Sequence, residues 1–258
     1  MKKLRLLGIM LILTGLVSSC NVTAYEPTPL LPTQTSTITP TITATIDWFP
    51  ATETPTPRPT LVIEPTAEMR PDLGSVLVEN LFAAPADWRT GSFSSGNITL
   101  LKDSLTLAIQ QAKMNQLSLE SDTNLGDFNV ETKVNINLCR GEDVYGLVVR
   151  AASELNYYRF LVNCNGMARA ERVRNGETTL MQDWTPTGLP PGAPIEVNIG
   201  IWASGKEMRF FANNAYVFSV SDPVFPEGRI GVFARASGES PVTITFSEME
   251  VRVIEPTQ

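Results

Sequence analysis

The strongest constraint on the fold of this chain is an alternating pattern of apolar and polar residues that begins at Phe128. Between positions 128 and 138 the apolar side chains fall on even positions and the odd positions are polar, which is the period of a half-buried β-strand. Asn165-Gly166 predicts a two-residue hairpin turn between two later segments rich in strand-forming residues. Four consecutive strands are therefore predicted, at 128–138, 144–151, 156–164 and 167–174.

Strand signals continue on both sides of this segment, and no window carries a sustained apolar stripe with the 3.6-residue period of a helix. Chains with many short strands separated by turns fold into a sandwich or a jelly roll. We therefore predict one all-β domain over residues 73–258. Its other strands are predicted at 75–81, 97–101, 104–110, 115–120, 178–183, 195–202, 207–212, 216–221, 229–236 and 242–254.

The chain of 258 residues contains no histidine, which narrows the chemistry that it can perform. Histidine is the commonest general base near neutral pH, and it serves in Ser/His/Asp and Cys/His nucleophile systems and in most zinc sites. Enzyme classes that depend on a histidine are therefore excluded.

The amino terminus has the pattern of an export signal. Lys2, Lys3 and Arg5 precede a short apolar run at 6–16, and small residues lead to Cys20. The pattern resembles a bacterial lipoprotein signal peptide over residues 1–19, and the resemblance implies that Cys20 is lipidated. Two or more acyl chains would hold the protein on a membrane in the bacterial cell envelope, facing outside the cytoplasm. The alternative is an ordinary cleaved signal that happens to contain a cysteine.

The charge of the chain argues against two classes of partner. The formal net charge is −7, and removing residues 1–19 takes away three positive charges, which leaves −10. This charge opposes binding to nucleic acid or to anionic lipid surfaces. We therefore expect no nucleic-acid partner, and contact with the membrane through the amino-terminal lipid alone.

Residues 20–72 are dominated by threonine and proline and are predicted to form a disordered linker. Proline fixes φ and removes a hydrogen-bond donor, while threonine buries little surface, so the segment cannot offset the entropy of ordering. At about 3.1 Å per residue its reach would be on the order of 150 Å. The linker would carry the domain away from the lipid anchor.

Cys139 and Cys164 remain as an even pair if Cys20 is lipidated. Each lies at the end of a predicted strand, and the second strand comes two elements after the first. A sheet that places these ends side by side would bring the cysteines within reach of a disulfide, which suits an oxidising compartment. The alternative is a pair of buried free thiols.

The second half of the domain resembles the concanavalin A-like jelly roll of laminin-G-type, lectin and glucanase domains. The resemblance rests on the strand Ile195-Glu196-Val197-Asn198-Ile199-Gly200-Ile201-Trp202, the hairpin around Asn213-Asn214, the segment Gly228-Arg229-Ile230-Gly231-Val232-Phe233-Ala234 and the closing strand near Phe246. It implies a jelly-roll sandwich of two antiparallel sheets. It extends to the branch related to 3-keto-glycoside hydrolase-like domains, and it is not specific for an activity.

No catalytic residue is predicted. Glucanases of this fold use a Glu-x-Asp-x-x-Glu strand, and the nearest match here begins at Glu120 but lacks the third carboxylate. Glu248 and Glu250 are expected to face solvent beside a bulge. Glu142, Asp143 and Asp183 could bind calcium on loops, but no spaced oxygen-ligand motif supports this, so no cofactor is predicted.

A carbohydrate site without chemistry needs aromatic faces and planar polar groups. Alternation places Tyr157 and Arg159 on the outer face of their strand, where Arg150 would lie on the neighbouring strand. Trp184 and Trp202 complete the predicted ligand-binding set. We therefore expect a non-catalytic module that binds glycan or polysaccharide. The alternatives are a glycoside-processing hydrolase of the keto-glycoside hydrolase-like branch, and a structural or protein-partner module.

Overall fold

A computed structural model describes residues 68–83, 88–238 and 241–255, and it shows an all-β domain of two antiparallel sheets. The predicted signal peptide, Cys20 and most of the predicted linker lie outside these residues. Within the described part of the chain, no helix is long and apolar enough to cross a membrane.

The strands are numbered in chain order. Those of the first half are β1 (Leu73–Val78), β2 (Gly91–Phe93), β3 (Gly96–Leu101), β4 (Ser104–Ile109), β5 (Asn115–Leu119), β6 (Phe128–Leu138) and β7 (Val144–Ser153). Those of the second half are β8 (Asn156–Asn163), β9 (Met167–Arg174), β10 (Glu177–Pro186), β11 (Ile195–Ser204), β12 (Glu207–Ala212), β13 (Ala215–Ser221), β14 (Arg229–Arg235) and β15 (Val242–Ile254).

The two sheets differ in size and in strand order. The nine-stranded sheet runs β13-β12-β11-β6-β15-β4-β3-β2, and β1 pairs with β15 outside this path. The six-stranded sheet runs β10-β9-β8-β7-β14-β5. Non-consecutive neighbours such as β6 and β15, or β7 and β14, are joined by long crossovers, which are typical of a jelly roll.

One apolar core fills the space between the sheets, as the alternating pattern predicts. Val130, Val134 and Ile136 of β6 are buried there, while Lys133 and Asn135 face the other way. Phe160 of the six-stranded sheet stacks on both Phe210 and Phe218 of the nine-stranded sheet, with ring centroids 6.0 and 6.3 Å apart. Aromatic packing of this kind holds the two sheets together.

Most predicted strands are present with small differences at their ends, while β2 is absent from the prediction. The hairpin between β8 and β9 is confirmed, but its loop has three residues, 164–166, and only Gly166 adopts a positive φ, of 77°. A side chain at Gly166 would also collide with the Leu189 carbonyl oxygen, 2.4 Å from an added Cβ. The bulge predicted beside Glu248 is present as well, with Glu248 at φ 50° and a shift of register between Ser247 and Glu250.

The predicted disulfide between Cys139 and Cys164 is confirmed. It joins the end of β6 in the nine-stranded sheet to the end of β8 in the six-stranded sheet, and the two Cα atoms are 5.9 Å apart. The bond closes a loop over a sequence separation of 25 residues and so restricts the unfolded chain.

Replacing both cysteines, as Cys139→Ser with Cys164→Ser, should lower the free energy of unfolding by about 3–4 kcal/mol, because the loop is no longer closed in the unfolded state. Urea denaturation of the variant and the wild type measures this difference, and the reduced wild type serves as the control because it should match the variant. Two titratable thiols from Cys139 and Cys164 in the unreduced protein would contradict the disulfide.

A buried polar cluster forms a second link between the sheets. The Tyr158 hydroxyl on β8 donates to the Asp222 carboxylate, which follows β13, at 2.7 Å, and it accepts from the Phe225 N–H at 3.0 Å. Arg172 on β9 pairs with the same carboxylate. Burial alone would raise the pKa of Asp222, but the Tyr158 hydroxyl, the Val224 N–H and the Arg172 charge hold this pKa below its ordinary value.

Tyr158→Phe should lower the free energy of unfolding by about 1–3 kcal/mol at neutral pH, because Asp222 and the Phe225 N–H lose a buried partner. Burial, and then the hydrogen bond to Asp222, raise the pKa of Tyr158 to about 12. The native state therefore favours the protonated phenol, so this stabilisation is complete below about pH 10 and is lost as the pH rises through the folded-state pKa.

Denaturation of wild type and Tyr158→Phe at pH 7, 9 and 11 measures this effect, and the difference between them should shrink at pH 11. Tyr216→Phe is the matched control because Tyr216 is 40% exposed. An equal loss of stability in both variants would contradict a special role for the Tyr158 hydroxyl.

The first described residues are fastened to the outer face of the nine-stranded sheet. The indole N–H of Trp202 donates to the Pro71 carbonyl at 3.0 Å, and Arg209 donates to the Met69 carbonyl at 2.9 Å. The Arg70 guanidinium lies 3.9 Å from the centroid of the Phe211 ring. We call this group of contacts the amino-terminal clamp.

Candidate functional site

The outer face of the six-stranded sheet carries an apolar layer of its own. Val144 and Val148 of β7 and Leu161 of β8 are fully buried there, although they lie on the face away from the main core. Phe233 of β14 and Val173 of β9 pack against them. Apolar residues on the outer face of a sheet are shielded from water only when other side chains cover them. Here the long side chains of neighbouring residues cover them.

A carboxylate shared by two arginines lies across this layer. Glu171 is 3% exposed, and it pairs with Arg159 on the adjacent strand β8 and with Arg169 on its own strand β9. Arg159 and Glu171 are directly opposite in the β8–β9 register, so the pairing follows from the strand geometry. The Arg159 guanidinium also lies 4.8 Å from the centroid of the Phe233 ring.

Arg235, at the end of β14, adds a third guanidinium to this face. Its Nε atom is buried without a hydrogen-bond partner, and among the described residues no ion pair involves its side chain. Burial lowers the pKa of Arg235, and the nearby positive charges of Arg169 and Arg159 lower it further, while Glu171 and Asp143 act in the opposite direction. Arg235 is therefore a cation held close to other cations.

A cavity of about 550 Å³ opens over this part of the sheet. Its floor is formed by apolar residues of the outer layer, and its rim by polar residues from the turns and from β5 and β10, while Phe93 and Ile98 contribute from β2 and β3 of the nine-stranded sheet. We call it the arginine cavity, because Arg89, Arg159 and Arg235 all line it. Other lining residues include Phe93, Asn115, Gln116, Leu117, Glu154, Leu155, Tyr157, Val173, Thr178 and Phe233.

An ion pair spans one side of the rim. The Arg89 guanidinium lies 2.7 Å from the Glu154 carboxylate, and both side chains are about half exposed. Glu154 belongs to the turn between β7 and β8, whereas Arg89 precedes β2. The contact therefore ties a loop of the nine-stranded sheet to the edge of the cavity, although an exposed pair of this kind contributes little stability.

Three of the five predicted ligand residues lie on this face. Tyr157 and Arg159 both line the arginine cavity. Trp184 of β10 packs against the same apolar layer, with the Arg169 guanidinium 4.5 Å from its ring centroid, but it does not line the cavity. Burial raises the pKa of Tyr157, so its phenol is neutral at physiological pH.

Arg150 does not lie beside Tyr157 and Arg159, contrary to our expectation from strand alternation. Its side chain is fully buried, and Nε and Nη2 donate to the Gly126 carbonyl at 3.1 and 2.7 Å. The reason is a bulge in β7, where Arg150 adopts φ 49° and the register with β8 shifts after Val149. The bulge reverses the alternation, so Ala151 takes the outer position instead.

Trp202 does face outward, as predicted, but it belongs to the other sheet. It lies on β11 of the nine-stranded sheet and is 5% exposed, because the amino-terminal clamp covers it. The Arg209 guanidinium packs 4.5 Å from its ring centroid. Trp202 is therefore on the opposite side of the sandwich from the arginine cavity.

The acidic residues considered in the sequence have local structural partners. The Glu120 carboxylate accepts from the N–H groups of Asp122 and Thr123, and so caps a turn. The Asp143 carboxylate accepts from the N–H groups of Arg140 and Ser237 at 2.9 and 2.8 Å. Within residues 68–83, 88–238 and 241–255, no group of three or more Cys, Asp or Glu side chains is arranged to hold a metal ion.

Four residues of this face are absent from the sequence prediction: Phe233, Arg169, Glu171 and Arg235. The sequence contains a signal for two of them, because Ala168 and Ala170 alternate with Arg169 and Glu171 on β9. Small inward residues on a strand that follows a tight hairpin place the charged ones on the outer face, next to Arg159. Phe233 and Arg235 carry no such signal, because their position depends on the long-range pairing of β14 with β7.

Comparison with known proteins shows the fold of this chain. No family profile and no curated protein matches it. Among solved structures, the carbohydrate binding module CBM66 from Bacillus subtilis is 16% identical, with a TM-score of 0.50 over 64% of this chain and 95% of that chain. A Bacillus subtilis protein of unknown function with a galectin-like fold is 14% identical, with a TM-score of 0.52 over 71% and 99% of the two chains.

A glycosidic hydrolase structure is similar as well, at 8% identity and a TM-score of 0.50 over 71% of this chain and 100% of that chain. Identities this low show the fold alone. The domain is thus a jelly-roll sandwich of the concanavalin A-like and galectin-like kind, and the predicted fold class is confirmed.

Glu171→Gln should lower the free energy of unfolding by about 3 kcal/mol, because it leaves the Arg159 and Arg169 charges without their buried carboxylate. Urea denaturation measures the effect. Glu177→Gln is the matched control, since Glu177 is exposed at the start of β10. Superimposable unfolding curves for Glu171→Gln and wild type would contradict the role given to Glu171.

Proposed function

We propose that this chain is a lipid-anchored protein of the bacterial cell envelope whose jelly-roll domain binds glycan in the arginine cavity without cleaving it. The anchor and the export rest on the pattern of residues 1–20. The disulfide between Cys139 and Cys164 is in keeping with an oxidising compartment. The function itself rests on the cavity.

The observation that carries the proposal is the composition of the arginine cavity. An apolar floor that includes Tyr157 and Leu117 is surrounded by groups that form planar hydrogen bonds, among them Asn115 and the arginines. Saccharides present apolar C–H faces and pairs of hydroxyls, and sites of this composition complement both. The volume of about 550 Å³ is in the range of small-molecule sites and fits a short saccharide.

The charges of the cavity favour binding over hydrolysis. Glycoside hydrolysis uses two carboxylates that flank the scissile bond. Glu154 lines the cavity and is paired with Arg89, while Glu171, on the same face of the sheet, is paired with Arg159 and Arg169. Both carboxylates are therefore engaged in ion pairs with arginine. One structure that shares the fold is named a carbohydrate binding module, which makes saccharides the first ligand class to test.

The test is a binding screen of the purified protein against a panel of neutral and acidic oligosaccharides and polysaccharides. We expect at least one saccharide to bind, and Thr178→Trp to weaken its binding at least tenfold. Thr178 is exposed on the rim of the cavity, and its hydroxyl accepts a hydrogen bond from Arg159 Nη2 at 3.4 Å. The indole would fill the entrance and remove this contact, while the ion pair of Arg159 with Glu171 stays in place.

The matched control is Thr179→Trp. Thr179 is also exposed on β10, but it faces a different cavity, near Arg172 and Asp222, so its replacement should leave saccharide binding unchanged. The proposal is wrong if no saccharide binds, or if both variants bind as tightly as the wild type.

A further inference from the structure

We infer that the saccharide bound in the arginine cavity carries an anionic substituent, a carboxylate or a sulfate ester, and that Arg235 is its main partner. This inference rests on the proposed function and names the class of ligand. It follows from the charge balance of the outer face, from the lack of a hydrogen-bond partner for the Arg235 side chain within the described part of the chain, and from the position of Arg235 in the cavity wall.

The charge balance leaves the outer face with an excess of positive charge. Arg159 and Arg235 line the same cavity, Arg159 and Arg169 share the Glu171 carboxylate, and Glu171 and Asp143 are the carboxylates that act on Arg235. Three positive charges and two negative charges leave an excess of one. Burying charge that is not compensated is unfavourable, so an anion entering the cavity would be stabilised there.

The hydrogen-bonding state of the three arginines shows where an anion would bind. Arg159 and Arg169 use their guanidiniums on Glu171, whereas no hydrogen bond from Arg235 to another described residue is present. A guanidinium has five N–H donors in a planar fork that matches a carboxylate or a sulfate. Among the described residues nothing accepts a hydrogen bond from the Arg235 side chain, so its donors are open to a ligand.

The surroundings of Arg235 suit a sugar ring that carries this anion. Arg235 pairs in register with Asn115 of β5, and both side chains line the cavity. Arg159 lines the same cavity, on the far side of Phe233 from Asn115 in the order of strands. An anion held at Arg235 would thus bring the attached ring over the apolar floor, where an amide and a second guanidinium can bind its hydroxyls.

The positive charge of the arginine cavity is opposite in sign to the net charge of the whole chain. With a formal net charge of −7, the protein repels polyanions at long range. Selection among saccharides would then depend on a short anionic group that fits the cavity, and not on general attraction to acidic polymers. Short oligosaccharides are the appropriate probes, because they limit the long-range repulsion.

The experiment compares matched pairs of oligosaccharides that differ only in charge. One pair is tetragalacturonate and its methyl ester, which tests a carboxylate, and the other is a sulfated galactan tetrasaccharide and its desulfated form, which tests a sulfate ester. We expect the acidic member of at least one pair to bind at least tenfold more tightly than its neutral partner by isothermal titration calorimetry. A tenfold difference corresponds to one hydrogen-bonded charge pair.

Arg235→Gln should remove this preference, and Arg235→Lys should keep part of it, because lysine retains the charge but lacks the planar fork. Arg174→Gln is the matched control, since Arg174 is exposed at the end of β9 and does not line the cavity. Without ligand, Arg235→Gln should unfold at a urea concentration equal to or higher than wild type, because it relieves repulsion among the arginines.

The outcomes separate the inference from the proposed function. If neutral saccharides bind as tightly as acidic ones, and Thr178→Trp blocks them, the anionic inference is wrong and glycan binding stands. If acidic saccharides bind but Arg235→Gln binds them equally well, the assignment to Arg235 is wrong. If no member of either pair and no saccharide of the wider panel binds, both the inference and the proposed function are overturned.

Discussion

The Glu171 carboxylate is the interaction on which the outer face of the six-stranded sheet depends. It pairs with Arg159 and Arg169, whose guanidiniums lie over the rings of Phe233 and Trp184 in the outer apolar layer. The stems of these arginines exclude water, and their charged ends remain at the surface of the layer. A sheet that could have been solvated on one face is instead buried on both, and its outer apolar layer forms the floor of the cavity.

Keeping three arginines beside an apolar floor comes at the expense of stability. Burial and the positive charges of Arg169 and Arg159 disfavour the charged form of Arg235, which lowers the stability of the unliganded domain. The contacts between the sheets at Phe160, Tyr158 and Cys164 act in the opposite direction, because they stabilise the fold. Binding sites are often places where a protein is less stable than it could be, because groups kept ready for a ligand lack partners without it.

The sequence predicted local features of this molecule better than those that depend on distant pairing. The predicted first and last residues of β6 and β9 match those of the structure, and alternation correctly placed Tyr157 and Arg159 on one face. It was wrong for Arg150, because a bulge reverses the order of side chains without leaving a mark in the pattern. Phe233 and Arg235 could not be predicted, since β14 reaches their neighbour β7 across about eighty residues of chain, a separation that spacing alone cannot resolve.

The amino-terminal clamp decides how the domain would carry a mechanical load. A force applied to the chain at Glu68 would act first on two hydrogen bonds to the nine-stranded sheet. These are the bond from Arg209 to the Met69 carbonyl and the bond from Trp202 to the Pro71 carbonyl. A saccharide bound as we propose would contact the six-stranded sheet and also Phe93 and Ile98, on strands β2 and β3 at the edge of the nine-stranded sheet. Tension would therefore pass partly through the packing between the sheets and partly along the nine-stranded sheet itself, so the strength of the attachment would depend on both routes as well as on the binding of the sugar.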